Sequence, residues 1–459
     1  MKRIMSRSFI VFIVAFAFFI GAGFLIFRLS TLNKVWVEQP YNGHIYSNNG
    51  FAKAGDITDR NGEVLAYTDE DSNRVYHDDE GIRCAMLHVV GDNSQNISTA
   101  VQSLFMGDLS GYSIVTGLGV PESMTGSNDV DLCIDAEASK KVYEAFKGKK
   151  GACVVYNYKT GEILIDVSMP TYDPNDPPVI TKENEAEYSG VYLDNVVSSS
   201  YTPGSIFKIV TAVAGVEHIS DIDNRTFYCS GAYDIDGLKI TCESAHGNLS
   251  FADAFKHSCN IVFAQIAVEV GSDNMTAIAE QLGFNKSFFV NGIELKQSKY
   301  SLENAYGDNQ LGWSGIGQFE DLANPMHMAI ICGAIANGGT PVAPYLFEDN
   351  SFLNKMGLKG SEQIDSMLSA STAKKLSDMM IRTGEYYNAV RGVSMGGLQF
   401  GAKTGTAEIG EGKQPHGWIV GFTNDSEHPY AFAVVVEEGG YGISCAAPIA
   451  QVAINALVD

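Results

Sequence analysis

The sequence predicts an α/β protein in two globular parts behind a single apolar span, and three observations carry that reading. Residues 8–27, SFIVFIVAFAFFIGAGFLIF, contain no charge; residues 31–128 are polar and broken by glycine and asparagine; from residue 129 strand-like alternation leads into helical spacing. Of the 459 residues 45% are hydrophobic, too many for a disordered chain and enough for a sizeable core. A formal net charge of −23 argues against tracking nucleic-acid phosphates, so no nucleic-acid partner is expected.

The span comes first in the chain. Residues 1–7, MKRIMSR, carry Lys2, Arg3 and Arg7, and the charge-free stretch after them is long enough to cross a bilayer. A cleaved signal peptide has a shorter apolar region, roughly 7–15 residues, and a small-residue cleavage site. Here Arg28 follows Phe27 directly, so 8–27 reads as an uncleaved anchor. The basic flank places residues 1–7 in the cytoplasm and everything after residue 28 outside it, which makes the chain a single-pass membrane protein.

Residues 31–128 contain short apolar pieces, AMLHVVG and YSIVTGLGV, and read as a small, mostly β or α+β module. The larger domain, 129–459, opens with DVDLCIDAEASKKVYEAFKG, in which Ala136, Ala138, Val142 and Ala145 fall at helical spacing. The proline-dense SMPTYDPNDPP reads as an exposed loop. Most of the eight cysteines are expected to be small core residues. Cys229 and Cys242 stand apart in the polar stretch CSGAYDIDGLKITCESAH, with His246 four residues on. They could be a disulfide, a zinc site or neither; without an obvious fourth ligand the metal signal is weak, and a disulfide or two free thiols is the expectation.

Lys-Thr-Gly occurs twice. Lys159-Thr160-Gly161 sits between ACVVYNY and EILIDVSM, two strand-like runs, where hairpin turn chemistry accounts for all three residues. Lys403-Thr404-Gly405-Thr406 instead lies on or beside a strand of an antiparallel sheet. In SSSYTPGSIFKIV, Ser205 and Lys208 are three apart near a helix start, so the amine can reach the hydroxyl. Burial among Ile206, Phe207, Ile209 and Val210 would depress the lysine pKa and suit it to act as a general base. Ser258-Cys259-Asn260 stands at the edge of an apolar helix. A decoy, Ser272-Asp273-Asn274, follows Gly271 and is explained by a glycine helix stop and a serine or aspartate N-cap.

The order SxxK, SxN, KTG is the set found in penicillin-binding proteins and related β-lactamases. The chain resembles the monofunctional, class B penicillin-binding proteins, peptidoglycan D,D-transpeptidases, over nearly all of residues 55–459. GDITDRNGEVLA, GACVVYNYKTGEILIDVSMPTYDPN, YTPGSIFK, IGQ at 316–318, NPMHMAIICGAIANGG and GWIVGF carry the likeness. Ala54 departs from it, standing where the family usually has an arginine that packs the N-terminal module. The resemblance implies an antiparallel five-stranded sheet flanked by helices plus an all-helical lobe, with the cleft between them. It implies that Ser205 is the nucleophile that forms an acyl-enzyme with stem peptides and with β-lactam antibiotics. Lys208 is its base, Ser258 the proton relay, and Asn260 orients Lys208. Lys403, Thr404, Gly405 and Thr406 then hold the substrate carboxylate and strand, and the backbone N–H groups of Ser205 and Thr406 form the oxyanion hole. Neither metal nor other cofactor is needed. Fewer than 130 residues separate anchor and transpeptidase segment, so glycan polymerisation falls to a separate glycosyltransferase.

Other functions share parts of this pattern. A class A β-lactamase needs a glutamate to activate the deacylating water, and SLENAYGDN, with Glu303 and Asn304, does not resemble that loop. An inward-signalling β-lactam receptor would need more than seven residues before the span. An anchored scaffold of a division or sporulation complex with weak catalysis is the alternative the sequence leaves open.

Overall fold

The computed structural model describes residues 2–37, 54–71, 73–109, 129–305, 307–348, 364–410 and 412–458; in the first segment it describes the side chains of Arg7 and residues 9–25. Helix α1, Lys2–Val37, contains the expected anchor, and its large side chains are exposed, Phe12 by 75% and Phe19 by 72%. Among the described residues no helix is long and apolar enough to cross a membrane. The expected span, 8–27, runs past the described side chains at both ends.

The small module is built on strands β1 (Ile57–Thr58), β2 (Val64–Thr68) and β3 (Arg74–Tyr76) and helix α2 (Glu80–Val90). Asp59 makes the turn between β1 and β2, its carboxylate accepting from Asn61 N at 2.7 Å and Glu63 N at 2.9 Å. Beside it, at the departure noted above, the Ala54 carbonyl accepts from Arg74 Nη1 at 3.5 Å and that of Gly55 at 2.8 Å. Strand β4, Val130–Asp131, which the sequence places in the larger domain, pairs parallel to β1 and completes the order β3-β2-β1-β4. The piece at 112–120 lies outside the described residues.

Helix α3, Ala136–Phe146, starts on Asp135, whose carboxylate accepts from Ala138 N at 2.8 Å, and buries Ala136, Ala138, Ser139, Val142 and Phe146. The strands β5 (Gly151–Asn157) and β6 (Ile163–Met169) form the expected hairpin. Further on come helices α4 (Lys208–His218), α5 (Asn260–Val270), α6 (Pro325–Ala336) and α7 (Ala370–Arg391). Strands β7 (Phe400–Ala407), β8 (His416–Thr423) and β9 (Tyr430–Val436) and helix α8 (Ala447–Val458) close the chain. The sheet is antiparallel throughout, in the order β7-β8-β9-β5-β6.

This sheet is buried on both faces, which is why its strands read as continuous apolar runs. Cys153, Val155, Ile419 and Val434 face α3 and α8, while Ala152, Val154, Val420 and Ala433 join the core shared with the helical lobe. That lobe is not all-helical. It carries the short strands Ala232–Ile235 and Leu238–Thr241, joined at Asp236 (φ 55°) and Gly237 (φ 78°), a turn that demands left-handed backbone.

SMPTYDPNDPP is only partly the exposed loop its prolines suggest. Tyr172 and Pro174 are buried, Tyr172 Oη donates to Asp92 Oδ2 at 2.8 Å, and Arg83 of α2 grips Asp173 with two bonds of 2.8 and 2.6 Å. This half-buried, two-pronged pair docks the small module on the larger domain. Arg83→Ala should therefore lower stability by about 1.5–3 kcal/mol, the range for a hydrogen bond to a charged group. The urea unfolding midpoint checks this, and an unchanged midpoint would show that the pair does not dock the module.

Candidate active site

Three segments meet at one buried amine. The first is a 3₁₀ turn, Gly204–Phe207, running straight into α4 at Lys208. Side chains three apart eclipse on a 3₁₀ turn, so Lys208 Nζ lies 3.0 Å from Ser205 Oγ. The second is the sharp break between helix Phe251–Lys256 and α5, where Ser258 adopts φ 55°, a conformation rare outside glycine. That backbone turns both the carbonyl and the hydroxyl of Ser258 toward Lys208, 2.6 and 3.1 Å from Nζ, while Asn260 Oδ1 accepts from the same amine at 2.6 Å. The third is β7, from which Lys403 Nζ donates to Ser258 Oγ at 2.9 Å and to the Thr404 carbonyl at 3.0 Å.

Both lysines are fully buried and none of these partners carries charge. Burial pushes the Lys208 amine down to about 8, and it holds Lys403 well below the usual lysine range, with the charge of Lys208 adding to the effect. Ser205, Thr404 and Thr406 are half-buried. Gly204, at φ 54°, sits so close to β7 that a Cβ would lie 2.5 Å from the Thr406 carbonyl oxygen, and one on Gly405 would lie 2.8 Å from the Pro203 carbonyl oxygen. The absence of side chains at these two positions is what lets the nucleophile turn and the strand touch.

All eight predicted site residues converge here, and the other Lys-Thr-Gly does not. Lys159 is exposed in its turn, where Asn157 Oδ1 accepts from Lys159 N and Thr160 N and Lys159 Nζ donates to Asn337 Oδ1. Tyr387 of α7 is a contributor that sequence reasoning misses; its hydroxyl lies 2.8 Å from Thr404 Oγ1 and accepts from Thr404 N at 3.2 Å. It approaches from a neighbouring helix, and no local pattern marks it. Glu303 is exposed in its loop. The cysteines 229 and 242 are free thiols, not a disulfide, and with His246 they meet an unforeseen fourth donor, Cys259, inside the SxN triplet.

The decoy serine is corrected in detail. Gly271 holds the cap position and Ser272 is the first helical residue, exposed, with no side-chain capping bond. Asn274 instead caps backwards, its Nδ2 donating to the Val270 carbonyl at 2.9 Å.

Residues 151–455 match the family described as the penicillin-binding protein transpeptidase domain. The chain is 28% identical over 362 residues to the peptidoglycan D,D-transpeptidase PbpA of Mycolicibacterium smegmatis, covering 72% of each protein. Its fold superposes on the crystal structure of PBPA from Mycobacterium tuberculosis with TM-score 0.73 and 26% identity, covering 89% of this chain and 100% of that one. A ceftriaxone acyl-enzyme complex of the same mycobacterial protein matches with TM-score 0.73 at 25% identity, covering 91% and 100%. The chain belongs to the penicillin-binding protein transpeptidase family and is a serine-type peptidoglycan D,D-transpeptidase.

Two serines at helix starts differ in whether they cap. Ser250 caps Phe251–Lys256 by accepting from Asp253 N at 3.1 Å. Ser250→Ala should cost about 1 kcal/mol, whereas Ser272→Ala should stay within about 0.5 kcal/mol of the unaltered protein. Chemical denaturation reads both, and a larger loss at Ser272 would restore the capping role the sequence suggests.

Proposed function

We propose that this chain cross-links peptidoglycan stem peptides with Ser205 as nucleophile, and that β-lactams acylate the same serine. The observation that carries the reading is the placing of Lys208 Nζ within hydrogen-bond reach of Ser205, Ser258 and Asn260 at once. Ser205 Oγ attacks the carbonyl of the penultimate D-Ala while its proton passes to the neutral Lys208 amine. Ser258, between the two lysines, relays a proton to the departing terminal D-Ala, leaving an acyl-enzyme. An amine from a neighbouring stem peptide attacks the acyl carbonyl, transfers its proton back along the same route, and frees Ser205. Backbone N–H groups of Ser205 and Thr406 serve the developing oxyanion. An arriving substrate carboxylate supplies the opposite charge that Lys403 lacks in the empty cleft, and so draws it into the ammonium form beside Thr404 and Thr406.

The exposed apolar surface of residues 9–25 in α1 and the basic residues Lys2, Arg3 and Arg7 ahead of that stretch support an anchor at 8–27, a cytoplasmic segment at 1–7 and an extracytoplasmic module (31–128) and transpeptidase domain (129–459). A separate glycosyltransferase then supplies the glycan.

Labelling with a fluorescent penicillin and mapping the modified peptide tests the nucleophile: the label should fall on Ser205 and vanish in Ser205→Ala. Ser258→Ala should slow acylation about a hundredfold or more, as loss of a proton-transfer group does, and Lys403→Ala should cripple it through loss of carboxylate recognition, while Lys159→Ala stays within a few-fold. Retained label in Ser205→Ala, or equal effects of the two lysines, would refute the assignment.

The acylation rate constant should also follow the neutral fraction of Lys208. It rises with pH toward a plateau above about 8, and two units below that point it is slower by about a hundredfold, the fraction of amine deprotonated there. A profile flat from pH 6 to 9 would dismiss Lys208 as the base.

A further inference from the structure

Among the described residues β7 is an outer strand of its sheet, with β8 on one side and no strand on the other. In an antiparallel strand the N–H and C=O of one residue point the same way, and alternate residues share an edge. Asn424 N donates to the Gln399 carbonyl at 2.7 Å, which continues the ladder to β8 and turns the odd-numbered residues of β7 toward that neighbour. The even-numbered residues, Phe400 to Thr406, therefore face the outer edge. Helix α7 lies along it. Gly384 sits so near that a Cβ would be 2.2 Å from the Phe400 carbonyl oxygen, and in the next turn Tyr387 Oη accepts from Thr404 N at 3.2 Å. The Thr404 carbonyl accepts from Lys403 Nζ at 3.0 Å, so both backbone groups of Thr404 are engaged. The end of α7 that carries Tyr387 is itself fixed: Gly392, at φ 68°, donates its N–H to the Asn388 carbonyl at 2.9 Å, and Asn388 Nδ2 donates to the Val393 carbonyl at 2.8 Å.

The same hydroxyl lies 2.8 Å from Thr404 Oγ1. A phenol has one hydrogen to donate, and burial pushes the Tyr387 hydroxyl up from the ordinary tyrosine value, so the hydrogen stays on it. Among the described residues Tyr387 Oη has no other partner, and a buried donor is rarely left unpaired; its hydrogen goes to Thr404 Oγ1. The hydrogen of Thr404 Oγ1 is thereby released for a third group. Thr404 and Thr406 are two apart on the strand and half-buried on one face, a spacing that presents two hydroxyls to the two oxygens of one carboxylate. We propose that Tyr387 is a positioning residue for carboxylate recognition, holding the Thr404 hydroxyl as a donor aimed at the terminal carboxylate of the stem peptide or the β-lactam. Tyr387 is only 6% exposed and acts through Thr404 rather than on the substrate. A threonine hydroxyl free to rotate would spend part of its time donating elsewhere, and the carboxylate would have to order it on binding. With Tyr387 in place that ordering is done in advance.

This role rests on the transpeptidase reading above, and the test separates the two. Stopped-flow acylation of the full chain over a range of penicillin concentrations resolves the affinity of the first complex from the rate of bond formation. Two ligands are compared, a penicillin with its carboxylate free and the methyl ester of the same penicillin. Tyr387→Phe keeps the ring and removes the hydroxyl. It should weaken the first complex with the free acid by roughly tenfold, the scale of one lost hydrogen bond, while the limiting acylation rate stays within about threefold, as when binding rather than chemistry is affected. The ester, which offers no carboxylate, should change by less than about twofold, so the advantage of acid over ester shrinks. That ratio is taken within each protein, so a partial loss of folded material cancels. In a Thr404→Val background, Tyr387→Phe should cost the acid less than about threefold more, because the two hydroxyls act as one unit. Equal losses for acid and ester would show a merely structural tyrosine and overturn the proposal, as would a further loss of about tenfold in the Thr404→Val background. Absence of any penicillin labelling of the unaltered protein would sink the transpeptidase reading and this role with it. Normal labelling of the unaltered protein with an unaffected Tyr387→Phe would sink the role alone.

Discussion

The structure around the cleft depends on burying Lys208 without giving it a charged hydrogen-bond partner. Its amine meets two groups that can only accept, the Ser258 carbonyl and Asn260 Oδ1, both at 2.6 Å. A neutral amine has two N–H bonds and one lone pair. The acceptors use the two donors, and the lone pair is left for a hydroxyl, with Ser205 Oγ 3.0 Å away. A carboxylate in place of Asn260 would stabilise the ammonium and remove the base. The neutrality of the partners is thus a requirement of the chemistry, and desolvation by the apolar lobe supplies the driving force.

Geometry of this kind has to be held by backbone that side chains would disturb. Gly317, at φ 75°, accepts from Gly204 N at 2.9 Å, and a Cβ there would lie 2.2 Å from the Gly204 carbonyl oxygen. With Gly204 and Gly405 it forms a seam of bare backbone between the nucleophile turn, the IGQ loop and β7. Trp418 of β8 secures the same turn from behind, its indole N–H donating to the Thr202 carbonyl at 3.0 Å. The rigid sheet therefore sets the position of Ser205 relative to Lys403.

How much of this is legible in the sequence depends on whether the information is local. The Ser205 and Lys208 pairing follows from a spacing of three, and the hairpin reading of Lys159 follows from its flanking strands; neither needs knowledge of distant residues. Helix α3 is readable from its period except at its last turn, where Phe146 rather than the expected Ala145 fills the core. Placements across the fold are opaque. Tyr387 meets Thr404 across 17 residues, Arg83 meets Asp173 across 90, and nothing near either residue signals the partner. Cys259 is hidden for another reason, since as the middle of SxN it already has an explanation as a small buried residue.

That concealment bears on why the triplet has its composition. The middle residue of SxN points away from the reacting serine, because Ser258 at φ 55° and Asn260 at the first turn of α5 both face Lys208. A position held so firmly between two reacting-site residues, yet directed out of the cleft, is where an outside support can act on both neighbours without touching substrate. Cys259 is fully buried at the N-terminus of an 11-residue helix with its Sγ 4.0 Å from Cys242 Sγ, and that contact together with burial pushes its thiol up. The turn that shapes the proton relay and the cluster that stands behind it are therefore one structural unit, joined through a single residue.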